Sequence, residues 1–255
     1  MNEFIVIVES SADARTATKL GDRVLVEKVN WLEEQQLQYF FRWSGLEENT
    51  EYSCWKDIND IIERAKSSGV RIPRFLRSKN GATKTDGAAA RKILNLVSYL
   101  QKRRQIKAVI FIRDLDNQPQ RKESVEQVRS EYSDRPLKIV MGMANRTREA
   151  WVLNGFITLN KSEEKILEEI KTQLNFDPCE ESHRLRSNSK EESDRMRNPK
   201  VVLEKLTGGD FERERKCWEE TDLEILRNRG VSTGLTDYMN EVENQLTSIF
   251  LKDNP

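Results

Sequence analysis

Histidine is almost missing from this sequence. Among 255 residues there is one, His183, and it lies in a polar stretch where a lone histidine is most often solvated. A single histidine excludes HExxH metalloproteases and histidine-rich metal sites, and it leaves a Ser-His-Asp triad with one candidate base. If the chain is an enzyme, we expect its working groups to be carboxylates.

Cysteine is nearly as scarce. Cys54, Cys179 and Cys217 are far apart and odd in number, and no CxxC pair occurs. This pattern argues against a disulfide framework and against a structural zinc site. It predicts reduced cysteines that are packed or half-exposed.

The sequence also lacks an excess of either charge and a long apolar run. Lys and Arg number 43, Asp and Glu number 43, and the formal net charge is zero. This balance argues against a uniformly basic nucleic-acid binder and against an acidic disordered protein. No apolar run approaches the roughly 18 residues of a membrane span, and the start MNEFIVIVES has an acid where signal peptides carry basic residues. We expect a soluble, cytoplasmic protein with no membrane partner.

What the sequence does have is three short runs of apolar, often β-branched residues. FIVIV at 4–8, KAVIFIR at 107–113 and LKIVMGM at 137–143 are typical of strands buried on both faces of a parallel sheet. A further strand is predicted at 23–29. Helical patterns fall between the strands, at 10–20, 57–67, 86–104, 121–132 and 147–154. Such alternation predicts an α/β domain with a mostly parallel sheet flanked by helices.

The pattern changes near residue 160. We predict a catalytic domain at 1–160, with an aromatic and acidic insertion at about 31–63, and a helical region at 161–255. The predicted helices of the second part are 162–174, 199–207, 211–229 and 235–251. The polar stretch 177–198 is predicted to be a mobile loop.

Acidic residues follow the buried strands. Glu9 follows the first, Asp114 and Asp116 end another, and Glu149 follows the third. Ligands of open parallel sheets bind beyond the carboxyl ends of the strands. In an extended D-L-D triplet both aspartates point the same way, and they would offer Mg²⁺ or Mn²⁺ hard oxygen ligands. Asp13, one helical turn after Glu9, would add a ligand, although such acids also simply cap helices.

Two motifs in this order resemble the TOPRIM domain of topoisomerases, DnaG-type primases and nucleases of the overcoming-lysogenization-defect (OLD) family. They are FIVIVESSADA and VIFIRDLDNQ. The segments NRTREAWVLNGF and NPKVVLEKLTGG resemble small stand-alone TOPRIM proteins of bacterial anti-phage loci. The family's usual glycine after the glutamate is Ser10 here. The resemblance implies a TOPRIM-like Rossmannoid sheet with a helical C-terminal appendage.

The resemblance also implies a chemistry. Asp114 and Asp116 would hold a divalent metal, and Glu9 would be a ligand or a general acid/base. Asp13 and Glu149 would complete a site for Mg²⁺ or Mn²⁺, with up to two ions. Two metals can activate water and stabilise the leaving oxygen of a phosphodiester without histidine. Because such proteins often work beside an ABC- or SMC-like ATPase, a separate ATPase partner is expected.

Basic residues are concentrated ahead of the DxD motif. Residues 71–107 hold eleven Lys and Arg and the single acid Asp86, which is the footprint of phosphate binding. The chosen DNA- or RNA-binding candidates are Arg77, Lys79, Lys84, Arg91 and Lys92, with Arg146 and Arg148 nearer a scissile phosphate. The alternative is pairing with the acidic stretch 26–63 or with a partner. No GxxxxGK loop is present, so ATP hydrolysis by this chain is not expected.

Three functions follow from these patterns. The first is a metal-dependent nuclease acting on DNA or RNA in anti-phage defence. The second is a TOPRIM-fold binding or regulatory subunit that is silent without its ATPase. The third, a nucleotide-sugar transferase using DxD for Mn²⁺, is opposed because no glycine-rich or aromatic nucleotide pocket is evident ahead of that motif. The aromatic residues of 31–55 either stack bases or form the core of the insertion. The oligomeric state, including a homo-oligomer, is left open.

Overall fold

The structure is a computed structural model and describes residues 1–72, 85–186 and 192–251. Its centre is a parallel sheet of five strands. They are β1 (Asn2–Val8), β2 (Phe41–Ser44), β3 (Ser53–Cys54), β4 (Ile106–Asp114) and β5 (Lys138–Ala144). The order is β2-β1-β4-β5, and β3 pairs with β1. Helices flank this sheet, so the predicted α/β class, a Rossmann-like fold, is confirmed.

Helices connect the strands and continue beyond them. The first six are α1 (Ser11–Lys28), α2 (Leu37–Phe40), α3 (Ile58–Ser67), α4 (Thr85–Leu100), α5 (Gln120–Glu131) and α6 (Arg148–Asn154). The second six are α7 (Lys161–Leu174), α8 (Glu192–Arg195), α9 (Pro199–Thr207), α10 (Phe211–Glu219), α11 (Leu223–Arg229) and α12 (Leu235–Leu251). Within the described ranges, no helix is long and apolar enough to cross a membrane.

The strand β1 explains why the sheet is buried on both faces. All five residues of the run 4–8 are fully buried. Phe4, Val6 and Val8 belong to one hydrophobic cluster, and Ile5 and Ile7 belong to the other. Because side chains alternate along a strand, an uninterrupted apolar run fills two cores at once.

The strand predicted at 23–29 is wrong. These residues continue α1, whose buried positions include Ala17, Leu20, Val24 and Leu25. That spacing is helical, and it places one face of α1 in the core. Arg23 is held in place by donating to the backbone oxygens of Trp218 and Thr221, both at 2.6 Å. Tertiary packing therefore outweighs the β-propensity of RVLV.

The insertion at 31–63 supplies one edge of the sheet in two pieces. β2 pairs with the first half of β1, with Asn2 opposite Phe41, and β3 pairs with its end, with Val8 opposite Cys54. The helix predicted at 57–67 is present as α3. Phe41 stacks on Phe4 at a ring-centroid distance of 4.6 Å, so the aromatic residues of the insertion extend the core.

The C-terminal helices pack directly on the sheet. α12 lies against β5 and α1, and Tyr238 in it donates to the backbone oxygen of Ala17 at 2.7 Å. Its buried residues belong to the same cluster as Phe4 and Val6. The division near residue 160 stays a prediction, and this face of the core is shared across it.

Two predictions for the C-terminal region need correction. Residues 177–186 of the predicted mobile loop are packed: Cys179 is 1% exposed and Leu185 is fully buried. Residues 187–191 lie outside the described part. The helix predicted at 211–229 is two helices, because Asp222 caps a new one by accepting from Glu224 N at 2.6 Å.

Candidate functional site

The strand order brings the acidic motifs to one edge of the sheet. β4 lies between β1 and β5, and all three are parallel. Glu9 follows β1, Asp114 ends β4, and Glu149 lies in the first turn of α6 after β5. The sequence left open whether these strands are neighbours. They are, so the three acidic motifs share the edge at which α/β sheets bind ligands.

Asp114 is the most perturbed carboxyl group of this edge. Its Oδ1 accepts a hydrogen bond from the backbone N of Arg148 at 2.9 Å. The pKa of Asp114 is raised to about 9, and burial is the largest cause. The charges of four neighbouring carboxylates contribute to the same rise, in decreasing order Asp13, Glu9, Glu149 and Asp116. Each predicted acidic residue of the site therefore acts on Asp114 through its charge.

Glu9 is the second perturbed carboxyl group. Burial raises its pKa, and the charges of Asp116 and Asp13 add to this, against the opposing effect of Arg113 and Arg121. Arg113 Nη1 lies 2.8 Å from Glu9 Oε1 in an ion pair. That pair does not have the angles of a hydrogen bond, and Oε1 is buried with no hydrogen-bond partner within the described ranges. This oxygen is therefore balanced by the charge of Arg113 and, at 3.8 Å, of Arg121, and not by a hydrogen bond.

Asp116 lies in a turn. β4 ends at Asp114, and Asp116 has a φ of 45°, in the left-handed region. Its backbone N donates to the oxygen of Arg146 at 3.1 Å. Leu115, between the two aspartates, packs against the second core cluster. The extended alternation assumed for the whole triplet stops at Asp114, because Asp116 has turned out of the strand.

Asp13 caps α1. Its Oδ2 accepts from the backbone N and from Oγ of Ser10, both at 2.7 Å, and Ser10 Oγ accepts from Asp13 N at 3.4 Å. This is a capping box, so the capping alternative describes what Asp13 does here. Its Oδ1 lies 3.9 Å from Nε of Arg148, which leaves that oxygen facing the site's charges.

Glu149 occupies the first turn of α6, close to the positive end of the helix dipole. Its side chain is 15% exposed, and its Oε1 lies 4.0 Å from Nζ of Lys200, at the limit of an ion pair. Lys200 is therefore its weakly placed cationic neighbour.

Two arginines, which sequence reasoning missed, reach into the acidic cluster. Arg121 Nη1 lies 3.0 Å from Asp116 Oδ2 and donates to the backbone oxygen of Asp114 at 2.6 Å. Arg113 and Arg121 also pair with Asp86, at 3.2 and 3.6 Å. Arg113 stands directly before the DxD motif, which was the available signal. The partner Asp86 comes from α4, and only the fold brings it there.

These arginines affect the fit of a metal ion. Within residues 1–72, 85–186 and 192–251, no group of three His, Cys, Asp or Glu side chains lies close enough to hold one. The donor set nevertheless suits Mg²⁺ or Mn²⁺, which prefer carboxylate oxygens, and the charges of four other acids contribute to the raised pKa of Asp114. The residues fit a divalent cation in their chemistry and not in their spacing within the described ranges.

The predicted phosphate-binding residues divide into three groups. Arg77, Lys79 and Lys84 lie outside the described residues. Lys92 is exposed on α4 and donates to Asn59 Oδ1 at 2.8 Å. Arg91 is 8% exposed and its Nη2 lies 2.7 Å from Glu131 Oε2, so it joins α4 to α5 instead of facing solvent.

Arg146 and Arg148 lie at the site but inside the protein. Arg148 is 7% exposed, and its guanidinium lies 2.7 Å from Glu214 and 3.1 Å from Oγ1 of Thr16. Arg146 is 3% exposed with a φ of 81°, and burial lowers its pKa. In this conformation Arg148 connects α6, α1 and α10, a role that the sequence pattern did not indicate.

The comparisons with known proteins add no relative. No family model, no curated protein and no solved structure matches this chain.

Proposed function

We propose that this chain is a TOPRIM-type nuclease that cleaves phosphodiester bonds in DNA or RNA with the help of Mg²⁺ or Mn²⁺. In this proposal it is the effector of an anti-phage system and works with a separate ABC- or SMC-like ATPase. The resemblance of FIVIVESSADA and VIFIRDLDNQ to the TOPRIM motifs supplies the reaction class.

The observation that carries the proposal is the environment of Asp114. Its carboxyl group ends the central strand, has a pKa near 9 and feels the charge of four other acids. Burying several carboxyl groups together lowers the free energy of unfolding, so such a cluster is expected to serve a ligand. Strongly perturbed carboxyl groups are concentrated at functional sites. Because the cluster lacks a usable histidine, metal-assisted hydrolysis is the reaction that suits it best.

The residues have distinct roles in this proposal. A bound divalent cation would supply the activation of water and the stabilisation of the leaving oxygen. Asp114, Asp116 and Glu9 would hold it. Glu9, whose pKa is raised by burial, is also a candidate for moving a proton. Arg113 and Arg121 would be released from the carboxylates and could then pair with phosphate oxygens.

A cleavage assay tests the proposal. Plasmid DNA and structured RNA are incubated with the wild-type protein and the Asp114→Asn variant, each with Mg²⁺, Mn²⁺ or EDTA. We expect metal-dependent cleavage by the wild-type protein and a loss of about a hundredfold or more in the variant. The matched control is Asp134→Asn, an exposed aspartate ahead of β5 at the opposite edge. Full cleavage in EDTA, or by Asp114→Asn, would overturn the proposal.

A second candidate is the regulated form of the first. The ion pairs of Arg113 and Arg121 hold Glu9 and Asp116 away from a compact metal site, which is the arrangement expected of a resting state. In this version the isolated chain is silent until an ATPase partner releases it. Co-expression with an adjacent ATPase gene then gives toxicity that depends on Asp114, whereas the chain alone gives none.

A further inference from the structure

A cavity of about 740 Å³ lies beside α1, apart from the acidic cluster. Its walls are one face of α1, the strand β2 and the segment around Glu34 and Tyr52. This volume is within the range of small-molecule binding pockets, which combine apolar walls with a few polar groups.

The α1 wall follows from helical spacing. Ser11, Ala14, Arg15, Thr18 and Asp22 all line the cavity, and they share one face of the helix. Eleven residues of rise separate Ser11 from Asp22, or about 16 Å. Ser11 lies next to the capped start of α1, beside Glu9. The cavity thus begins at Ser11, two residues after Glu9, and extends along α1 to Asp22.

Asp22 is the unusual group of this cavity. Its Oδ1 accepts a hydrogen bond from the indole Nε1 of Trp43 at 2.9 Å. The second carboxylate oxygen, Oδ2, takes no part in that bond. Burial raises the pKa of Asp22 to about 7, against the effect of the Trp43 hydrogen bond and of Lys19. Gly21 allows this arrangement, because a Cβ there would lie 3.1 Å from the Trp43 ring.

Aromatic side chains form the opposite wall. Trp43 and Tyr52 are half-buried, and both line the cavity with Phe41. Trp43 is braced edge-on by Phe41 at a centroid distance of 5.3 Å. An aromatic pocket does therefore precede the DxD motif, where sequence reasoning saw none.

We propose that this cavity binds one unpaired guanine base, which stacks on the aromatic wall while the carboxylate of Asp22 accepts hydrogen bonds from its Watson–Crick edge. The inference deepens the proposed function and rests on it for the source of the base, a single strand leading to the acidic edge.

The choice of guanine follows from complementarity. The acids among the cavity's lining residues are Asp22, Glu34 and Glu51, so the pocket favours a ligand edge that donates. Guanine presents two adjacent donors, N1–H and N2–H, whose spacing matches a carboxylate. Stacking on aromatic rings accepts any base, so the selectivity has to come from Asp22.

The mouth of the cavity has basic residues that suit the phosphates of a nucleic-acid strand. Arg15 and Arg42 are exposed at the cavity, with Arg42 Nη2 lying 3.1 Å from Glu3 Oε1 and the Arg15 guanidinium 4.9 Å from the ring centroid of Phe211. Both are placed to contact phosphates on either side of a bound base. The distance of about 16 Å along α1 leaves room for further nucleotides before the acidic edge.

Binding measurements in EDTA test the inference without any cleavage. Fluorescence anisotropy is recorded with labelled octanucleotides that carry one guanine or one inosine in a uracil background. Inosine lacks the N2 amino group. We expect the guanine strand to bind about tenfold more tightly, as for one hydrogen bond to a charged group. Equal affinity for the two strands in the unmodified protein would overturn the inference.

Variants locate the preference. Asp22→Asn replaces one acceptor oxygen by a donor and should abolish the difference between guanine and inosine, whereas Asp134→Asn should keep it. A preference that survives Asp22→Asn in a folded variant would show that Asp22 only anchors Trp43, and the inference would fail. If Asp22→Asn does not fold, Tyr52→Leu should weaken both strands about equally, because stacking is lost and the edge contact is kept.

Two further measurements distinguish a free nucleotide from a strand as the ligand, and test the pocket separately from the proposed nuclease function. Guanosine monophosphate that competes at the strand's own affinity identifies a free nucleotide as the ligand, and competition only at far higher concentration identifies the strand. Guanine-selective binding without metal-dependent cleavage would sink the nuclease proposal and keep the pocket. Cleavage by the wild-type protein with no base preference would do the reverse.

Discussion

β1 has a glutamate near each end, and the two differ in a way that separates structure from function. Glu3 is 5% exposed at the amino end of the strand. Burial alone would raise its pKa, but the hydrogen bonds of Arg104 and Arg42 reverse this, and the pKa is lowered. Glu9 follows the carboxyl end, and burial raises its pKa although Arg113 stands beside it.

The difference lies in how completely each carboxylate is satisfied. Arg104 Nε donates to Glu3 Oε2 at 2.9 Å, and its remaining donors reach the backbone oxygens of Leu46 and Gly45 at 2.8 and 2.9 Å. At Glu9 one oxygen has no hydrogen-bond partner within the described ranges. One end of the sheet is electrostatically complete, and the other keeps unbalanced charge of the kind found at functional sites.

The largest effect is expected at the satisfied end. Arg104→Met leaves Glu3 buried without its main partner and should lower the free energy of unfolding by about 3–5 kcal/mol. Urea denaturation followed by circular dichroism measures it. The control is Arg103→Met, since Arg103 is the exposed neighbour. A loss below about 1 kcal/mol would mean that the two ends do not differ as described.

The next effect is expected from a cation at the unsatisfied end. Mg²⁺ or Mn²⁺ at a hundredfold excess over its Kd should add about 2.7 kcal/mol, seen as a rise in Tm of about 5–10 °C. Differential scanning fluorimetry with and without EDTA measures this shift. Glu3→Gln should lower Tm and keep the shift, and Asp114→Asn should lose it. An unchanged shift in Asp114→Asn would place the cation elsewhere.

The two ends should respond to pH in opposite directions. The folded-state pKa of Asp114 is raised to about 9 from 3.8, so its stabilising contribution is complete below pH 4 and is lost as pH rises towards 9. The folded-state pKa of Glu3 is lowered, so its contribution exists above about pH 4.5 and is lost on acidification.

The measurement for Asp114 is the unfolding free energy of Asp114→Asn relative to the wild-type protein, in EDTA at pH 6 and pH 8.5. Between these pH values the variant should become about 3 kcal/mol more stable relative to the wild-type protein, because it no longer carries the group that ionises. A gap that stays constant with pH would contradict the raised pKa.

The smallest effect on the free energy of unfolding is expected for Arg121, which pairs with Asp116 in the acidic cluster. Arg121→Ala removes the contacts with Asp116 and the Asp114 oxygen and should lower the unfolding free energy by about 0.5–1 kcal/mol. Because Arg121 also competes with a cation for Asp116, metal affinity should rise several-fold by isothermal titration calorimetry. Lys122→Ala, which removes a surface pair with Asp237, should leave metal affinity unchanged. Weaker metal binding in Arg121→Ala would argue against the resting-state interpretation.

The sequence predicted the parts of the fold that depend on local pattern. The runs 4–8, 107–113 and 137–143 lie in β1, β4 and β5, because a strand buried on both faces must be apolar throughout. The failure at 23–29 has the same origin. RVLV is apolar enough for a strand, and only the buried face formed by Leu20, Val24 and Leu25 shows that it is a helix.

The acidic residues of the candidate site could be predicted from the sequence, and the arginines that pair with them could not. Glu9 and Asp114 could be placed at one sheet edge from the position at which each strand ends. Arg113 and Arg121 could not be assigned, because their partners come from α4 and from the loop after β1. The aromatic pocket around Trp43 was also missed, because it depends on the close approach of β2 to Gly21.

The packing of α12 means that part of the hydrophobic core is completed late in synthesis. Phe250 near the end of this helix lies 6.2 Å, ring centroid to ring centroid, from Phe4 in the first strand, and Tyr238 stacks on Trp151 at 5.4 Å. During synthesis all five strands leave the ribosome before Phe250 does. The part of this sheet face that α12 covers, next to β5, therefore stays open until translation passes that helix, whereas α1 can cover its own part early. The first strand of the chain and its last described helix therefore complete one core together.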